Sequence, residues 1–491
     1  MPLTPRQIAA GSPQVVVAVV EEARPHWNPR HTFIFTDYSL RIEERLRGDA
    51  PERVTLSIPG GTVDGETHGT CVSTPLVPGA RYLLFLQDLK GRTLVPVTGG
   101  RQGVFREAPG TEGKRFSETV RAARELIARV EAAPEPEDTA WLRAAKPPVG
   151  VLRKAGGERP PGAKFVVEHS ARAPLVFHPL PPESPFYRVD QQAMAYWNLY
   201  AHDLFRVSRE PAYDWGFGNG LSEIAGFVTS EDIEQQFGVG WSPDTISATL
   251  WRYASADDQH IVEADLAFNP GHDWTLDADA ATRGLNKLSF AEWILRDLGT
   301  AWGYRGVEEP GQEDQSSVTQ DSLMSFEAWG SATPEIFAED AAAARATYPG
   351  AKPIRDGLIS SYSLRPTSDF PLYVEIEAAV DSVVAGGGFD FVHPIKIENP
   401  GTEPLARPKV EIYLVPARYS FAGAILLKKM GVRGNVRPRG VATFELGRVK
   451  VPASTPAGTY YFAFLLRDPR DANQANNLAW SSQWGKIEVT R

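Results

Sequence analysis

His260, Asp265 and His272 lie close together in the chain and offer two imidazoles and a carboxylate, donor types that hold a transition metal. They read equally as surface histidines beside a buried strand carboxylate. His169 and His178 flank an apolar run and read as structural. Asp273, Asp277 and Asp279 form one acidic cluster; Glu308, Glu309, Glu313 and Asp314 form another. Both supply the oxygen donors that calcium takes, but neither has EF-hand spacing, so solvated loops are the expectation. Cys71 is the single cysteine, which rules out an intrachain disulfide. It has no visible histidine partner and is read as inert. Pro59-Gly60-Gly61 and Ala385-Gly386-Gly387-Gly388 are turns, because no Lys-Ser/Thr pair follows them at a strand-to-helix junction.

A more ordered pattern sits where a long apolar helix ends. Leu285 to Trp302 is expected to be helical, with Trp293, Ile294, Leu298 and Ala301 on a 3.6-residue stripe and Gly303 as its stop. Arg296, Asp297, Thr300 and Gly306 occupy its last turns and exit. Side chains at i and i+4 of a helix share one face and can grip one cation. A carboxylate next to the first can act as general base, and a glycine break lets a third ligand swing in. Taken alone, this stretch also fits a core helix with a glycine C-cap.

The frame Arg296-Asp297-Leu298-Gly299-Thr300-Ala301-Trp302-Gly303-Tyr304-Arg305-Gly306 resembles the HExxHxxGxxH motif of matrixin-like metzincin metalloproteases. Phe217 to Ile224 is similar to an early strand segment of that family. Ile261 to Asn269, followed by Trp274-Thr275, is similar to a later one, and Ser322-Leu323-Met324-Ser325 to the Met-turn, with Met324 as its methionine. The resemblance implies a metzincin-like α/β domain with zinc at the helix. It also implies that the zinc site is lost. Arg296, Thr300 and Gly306 stand at the three histidine positions, and Asp297 stands at the general base. Arginine carries a fixed positive charge, threonine is a poor neutral ligand, and glycine has no side chain. The expected catalytic residues and bound cofactors are therefore none. Zinc would be held only if other ligands replaced these, and calcium only at the acidic loops.

At 491 residues the chain is too long for one core, and its net charge of −10 argues against a general polyanion binder such as a nucleic-acid protein. No run of residues is long and apolar enough to span a membrane, and no signal-peptide pattern opens the chain. The expected fold is multidomain α+β. Residues 12–107 read as a β-barrel-like domain, 108–185 as a helix (Ser117 to Ala133) with a Pro-rich linker, 186–347 as the metzincin-like domain, and 370–491 as an immunoglobulin-like β-sandwich. In the middle domain, Gln191 to Arg206 is expected to be a second helix. Val77 to Leu86, with Gly99 to Phe105, resembles a β-domain that precedes bacterial matrixin-like proteases. Ile397 to Gly401, Pro456 to Tyr461 and Asn473 to Asn477 resemble the bacterial cell-adhesion-related immunoglobulin-like domain. Both likenesses imply an extracytoplasmic or secreted protein whose signal peptide is absent from this chain; the lone cysteine also suits the cytoplasm. The expected function is a catalytically inactive pseudoprotease that binds a protein or peptide, using an edge strand of the old cleft. An active zinc endopeptidase with displaced ligands and a structural surface or assembly protein are the alternatives.

Overall fold

The computed structural model describes residues 5–70, 74–87, 95–98, 103–107, 114–132, 164–167, 170–171, 174–212, 215–242, 245–255, 260–276, 287–308, 323–324, 335–360, 363–366, 371–374, 376, 378–392, 395–431, 434–444, 446–481 and 485–491. Cys71, His169, Asp277, Asp279, Glu309, Glu313 and Asp314 lie outside them, as does the side chain of Glu308. Among the described residues, no helix is long and apolar enough to cross a membrane. Sheet dominates, in several separate layers.

The N-terminal region is a five-stranded antiparallel sheet. Its strands are β1 (Gln14–Trp27), β2 (Ile34–Arg47), β3 (Arg53–Pro59), β6 (Arg81–Leu86) and β7 (Val104–Arg106), in the order β3-β2-β1-β6-β7. The run Val15 to Val20 is almost wholly apolar because both faces of β1 are covered. Val16, Ala18 and Val20 join the core beneath the sheet. Val15 and Val17 face α1 (Pro5–Ala10) and α2 (Lys114–Ala132), where Phe116, Val120, Ile127 and Val130 are buried. The helix expected within 108–185 thus packs on the N-terminal sheet. The barrel expectation is corrected in part: β3 and β7 stand at opposite ends of the sheet and do not pair among the described residues.

The strands between β3 and β6 belong elsewhere. β4 (Gly61–Val63) and β5 (Glu66–Thr70) form a hairpin around Asp64 and Gly65, both at positive φ, as a tight two-residue turn requires. This hairpin is the end of a second, seven-stranded sheet in the order β10-β9-β11-β13-β12-β5-β4. Its other members are β9 (Leu175–His178), β10 (Phe205–Val207), β11 (Ser222–Phe227), β12 (Ser247–Tyr253) and β13 (Ile261–Phe268). β9, β10, β11 and β13 run parallel, whereas β12 is antiparallel to both β13 and β5. β8 (Lys164–Val167) pairs with β16 (Tyr304–Glu308). The expected boundary at residue 186 therefore moves back to include β8 and β9.

Helices α3 (Val189–Asn198), α5 (Phe290–Ala301) and α6 (Ala338–Thr347) share the large core on one face of this sheet, around Trp197, Phe268, Leu298 and Trp302. The other face carries α4 (Ser230–Phe237), which opens with a Thr229/Asp232 capping box and closes on Gly238 at φ 77°. The helix expected to reach Arg206 stops at Asn198. The Asn198 side chain bonds both the N–H and the C=O of Phe205, drawing that residue into β10. Likewise α5 begins at Phe290, not Leu285: Ser289 caps it by accepting from the Glu292 N–H at 3.3 Å, and β15 (Lys287–Ser289) pairs with β14 (Asp273–Thr275) just before it.

The C-terminal region is two sheets facing one core. One is built on Lys409–Val415, Gly458–Arg467 and Lys486–Thr490; the other is Leu358–Ser360, Ile395–Glu398 and Val441–Phe444. This region starts by Leu358, earlier than the expected residue 370.

Candidate functional site

Helix α5 brings the degenerate motif against β12 and Met324. Trp197 on α3 holds the helix by donating its indole N–H to the Leu295 carbonyl at 2.8 Å. Gly299 has a steric reason to be glycine. A Cβ there would lie 3.0 Å from both Met324 Sδ and the Trp197 ring, closer than a relaxed contact. Met324 is thus seated directly under the helix. Its turn is fixed by Asp340 at the start of α6, whose buried carboxylate accepts from the Leu323 N–H at 2.7 Å, the Phe337 N–H at 3.0 Å and the Tyr304 hydroxyl at 2.7 Å.

The three expected ligand positions are each engaged otherwise. Arg296 is buried, donates from Nη2 to the Met324 carbonyl at 3.3 Å, and lies over the Trp293 ring at 5.3 Å. Its guanidinium thus bridges the helix and the Leu323-Met324 turn. The Thr300 hydroxyl turns back on its own helix and donates to the Arg296 carbonyl at 3.3 Å. Gly306 does not swing toward the helix; it sits in β16, paired with Val166. Asp297 is buried against Ser247 of β12. Burial pushes its carboxyl up to about 7, opposed by the Ser247 hydrogen bond and the Arg296 charge. One of its oxygens, Oδ2, has no hydrogen-bond partner among the described residues. A guanidinium, a self-bonded hydroxyl, a ladder glycine and one buried carboxyl do not fit zinc, which takes three N, S or carboxylate donors from a catalytic site.

The second candidate set does not converge. His260 is exposed at the entrance to β13. Asp265 is fully buried, accepts from the Glu223 N–H at 2.9 Å, and is pushed well up by burial and by the Glu263 and Glu223 charges. His272 lies 3.1 Å from the Thr245 carbonyl through Nε2. His178 sits in β9 opposite Glu223, and Asp273 is exposed. Among the described residues no three His, Cys, Asp or Glu are placed to share a metal.

No protein-family profile matches the chain, and no curated protein does. Among solved structures, it is similar to a CARDB domain from Pyrococcus furiosus, crystallised in complex with di-metal ions. The identity is 15%, covering 28% of this chain and 97% of that one, with a TM-score of 0.18. The C-terminal domain of Wzt is similar at 15% identity, covering 28% of this chain and 73% of that one, with a TM-score of 0.15. Neither likeness bears on the helix site.

Two features of the site were not legible in the motif. Glu263 organises the loop before β11: it accepts from the Gly218 N–H at 2.6 Å and the Gly220 N–H at 3.1 Å, and pairs with Arg252 at 2.7 Å. The only sequence signal for it was a pair of acids, Glu263 and Asp265, inside an otherwise apolar strand. The other feature is β5. The strand alongside α5, β12, is paired at Leu250, Trp251 and Arg252 with Thr70, Gly69 and His68. The peptide-pairing edge strand, expected without assigned residues, is therefore not an open β12: the chain covers that edge with its own strand.

Proposed function

We propose that this is an exported, catalytically silent relative of matrixin-like metalloproteases, whose middle domain serves as a protein- or peptide-binding module between two β-rich regions. One observation carries the reading: the Arg296 guanidinium occupies the space between α5 and Met324, bonded to the Met324 carbonyl, where the first metal ligand of that family would stand. The close seat of Met324 on Gly299 supports it, as does the passage of β12 alongside α5 through Ser247. No cofactor is needed for binding of this kind, and the acidic balance makes a nucleic acid a poor ligand.

The test is metal content together with proteolysis. The purified intact chain, equilibrated with zinc and desalted, is expected to retain far less than one zinc per chain and to leave an unfolded protein substrate uncut. Arg296→His is expected to leave zinc binding weak, because Gly306 in its β-ladder brings no third donor. One tightly held zinc with cleavage abolished by a chelator would establish an active endopeptidase and end this reading.

A further inference from the structure

The edge of β12 is a strand-accepting surface, and the chain supplies the strand. Three features of β5 match it. Its register is fixed at Leu250↔Thr70, Trp251↔Gly69 and Arg252↔His68. Gly69 lies where an added Cβ would stand 3.0 Å from the Tyr253 hydroxyl and 3.4 Å from the Trp251 ring, so a small residue is required there. Gly60 and Gly61, at φ 111° and 141°, turn the chain out of the N-terminal sheet into the hairpin.

The hairpin is held at one buried residue that can take up a proton, His68. His68 is buried among Trp27, Phe33 and Phe217, whose ring centroids are 5.2, 5.0 and 5.0 Å from its own. Its Nδ1 accepts from the Ile34 backbone N–H at 3.2 Å, so that nitrogen must carry no proton. Its Nε2 lies 3.1 Å from Glu66 Oε1 and donates to it. The charged groups facing it are Glu66 on its own strand, Arg252 on β12 and Glu263 on β13; β1, β2 and the Phe217 loop present rings and the Ile34 amide. A second proton would have to enter at Nδ1, head-on to the Ile34 N–H, and would bury a positive charge near Arg252. Burial lowers the imidazole pKa, with the Arg252 charge adding to it and the Glu66 and Glu263 charges opposing. With the folded value depressed, the contribution is complete above about pH 6.5 and is lost as pH falls below it.

We propose that Glu66–Thr70 is a built-in occupant of the β12 edge, that protonation of His68 releases it, and that the vacated edge takes an extended peptide with a glycine-sized residue opposite Trp251. This names the partner class and its control within the binding reading above, and rests on that reading only for its purpose.

The experiment is amide hydrogen exchange on the intact chain at about pH 7.5 and about pH 5.5, corrected for intrinsic rates, comparing residues 66–70 and 250–252 with β13. Acidification is expected to lower protection of the two paired segments by up to about ten-fold while β13 holds. His68→Gln, which keeps an acceptor for Ile34 and cannot take the charge, is expected to remove the step. A labelled Ile58–Thr70 peptide carrying Gln at the His68 position should bind the wild-type chain more tightly at the lower pH. Protection in the paired segments that does not change with pH, or a step that survives in His68→Gln, would overturn the proposal. If that variant fails to fold, equal peptide affinity of the wild type at both pH values would overturn it instead. None of these readouts depends on metal, so they are separate from the zinc test.

Discussion

The middle domain is joined to its two neighbours by opposite means. On the N-terminal side the joint is backbone and rings. β5 extends the sheet of β12, Asn28 donates to the Gln236 carbonyl at 3.0 Å, and Phe33 and Phe35 share a core with Phe217, Phe237 and Leu250. On the C-terminal side it is buried charge. Arg439 grips Glu339 of α6 through three contacts of 2.8–3.0 Å, and Glu398 accepts from the Ala338 N–H at 3.2 Å. Tyr200 donates to Asp356, and Asn476 donates to the same carboxylate at 3.1 Å. Asp356 and Asp471 share a hydrogen bond, and Glu335 lies buried near Glu398. Burial and the neighbouring carboxylate raise Glu335 and Asp471, which favours their protonated forms. The first joint therefore needs a histidine without its second proton, and the second needs acids that hold theirs. Acid is expected to loosen the first joint and alkali the second.

The largest expected effect breaks the C-terminal joint. Arg439→Ala leaves the buried Glu339 carboxylate without its guanidinium and should cost about 2 kcal/mol, below the usual loss for a fully buried pair because Arg439 is itself half-exposed. Urea unfolding of the intact chain measures it, and a change of a few tenths would mean the pair is ornamental. A smaller effect sharpens the contrast through pH. Burial and the Glu398 charge raise Glu335, and burial and Asp356 raise Asp471 to about 7. Acids raised in the folded state contribute fully below about pH 4 and lose that contribution as pH climbs toward 7 and beyond. Glu335→Gln, an uncharged isostere, should flatten the alkaline decline by about 1 kcal/mol and change little in acid. An unaltered profile from melts across the pH range would refute it. An effect of similar size falls on the N-terminal joint. Gly69→Ala pushes a methyl toward Tyr253 and should cost about 1 kcal/mol. Exchange should quicken at Leu250 to Arg252 and not at Glu339; a uniform change would show that the two joints are not independent.

What the sequence revealed follows from where periodicity carries the fold. Ile261–Phe268 and Lys409–Val415 were readable because burial selects their side chains. So was most of α5. The metzincin likeness placed Arg296, Thr300 and Met324 as neighbours in sequence order, and Arg296 does meet Met324. β5 was unreadable. Glu66-Thr67-His68-Gly69-Thr70 has no apolar alternation, and its hold on β12 is backbone hydrogen bonding to a strand distant in the chain. The loop role of Glu263 and the anchoring of the Leu323-Met324 turn by Asp340 were hidden for the same reason: each serves main-chain amides, which leave no residue pattern at the partner. The helix drawn too far past Asn198 shows the converse. Tyr200 and Leu204 continue an apolar rhythm, but their burial is met by an irregular turn.

The sharing of one sheet between two regions has a practical consequence for anyone dividing the molecule. A fragment beginning at Lys164 would leave Leu250, Trp251 and Arg252 without their ladder partner, on a strand that is otherwise buried. Bare edges of that kind stack on one another, so such a piece should precipitate or form ladders of copies, and a soluble middle fragment must carry the hairpin with it.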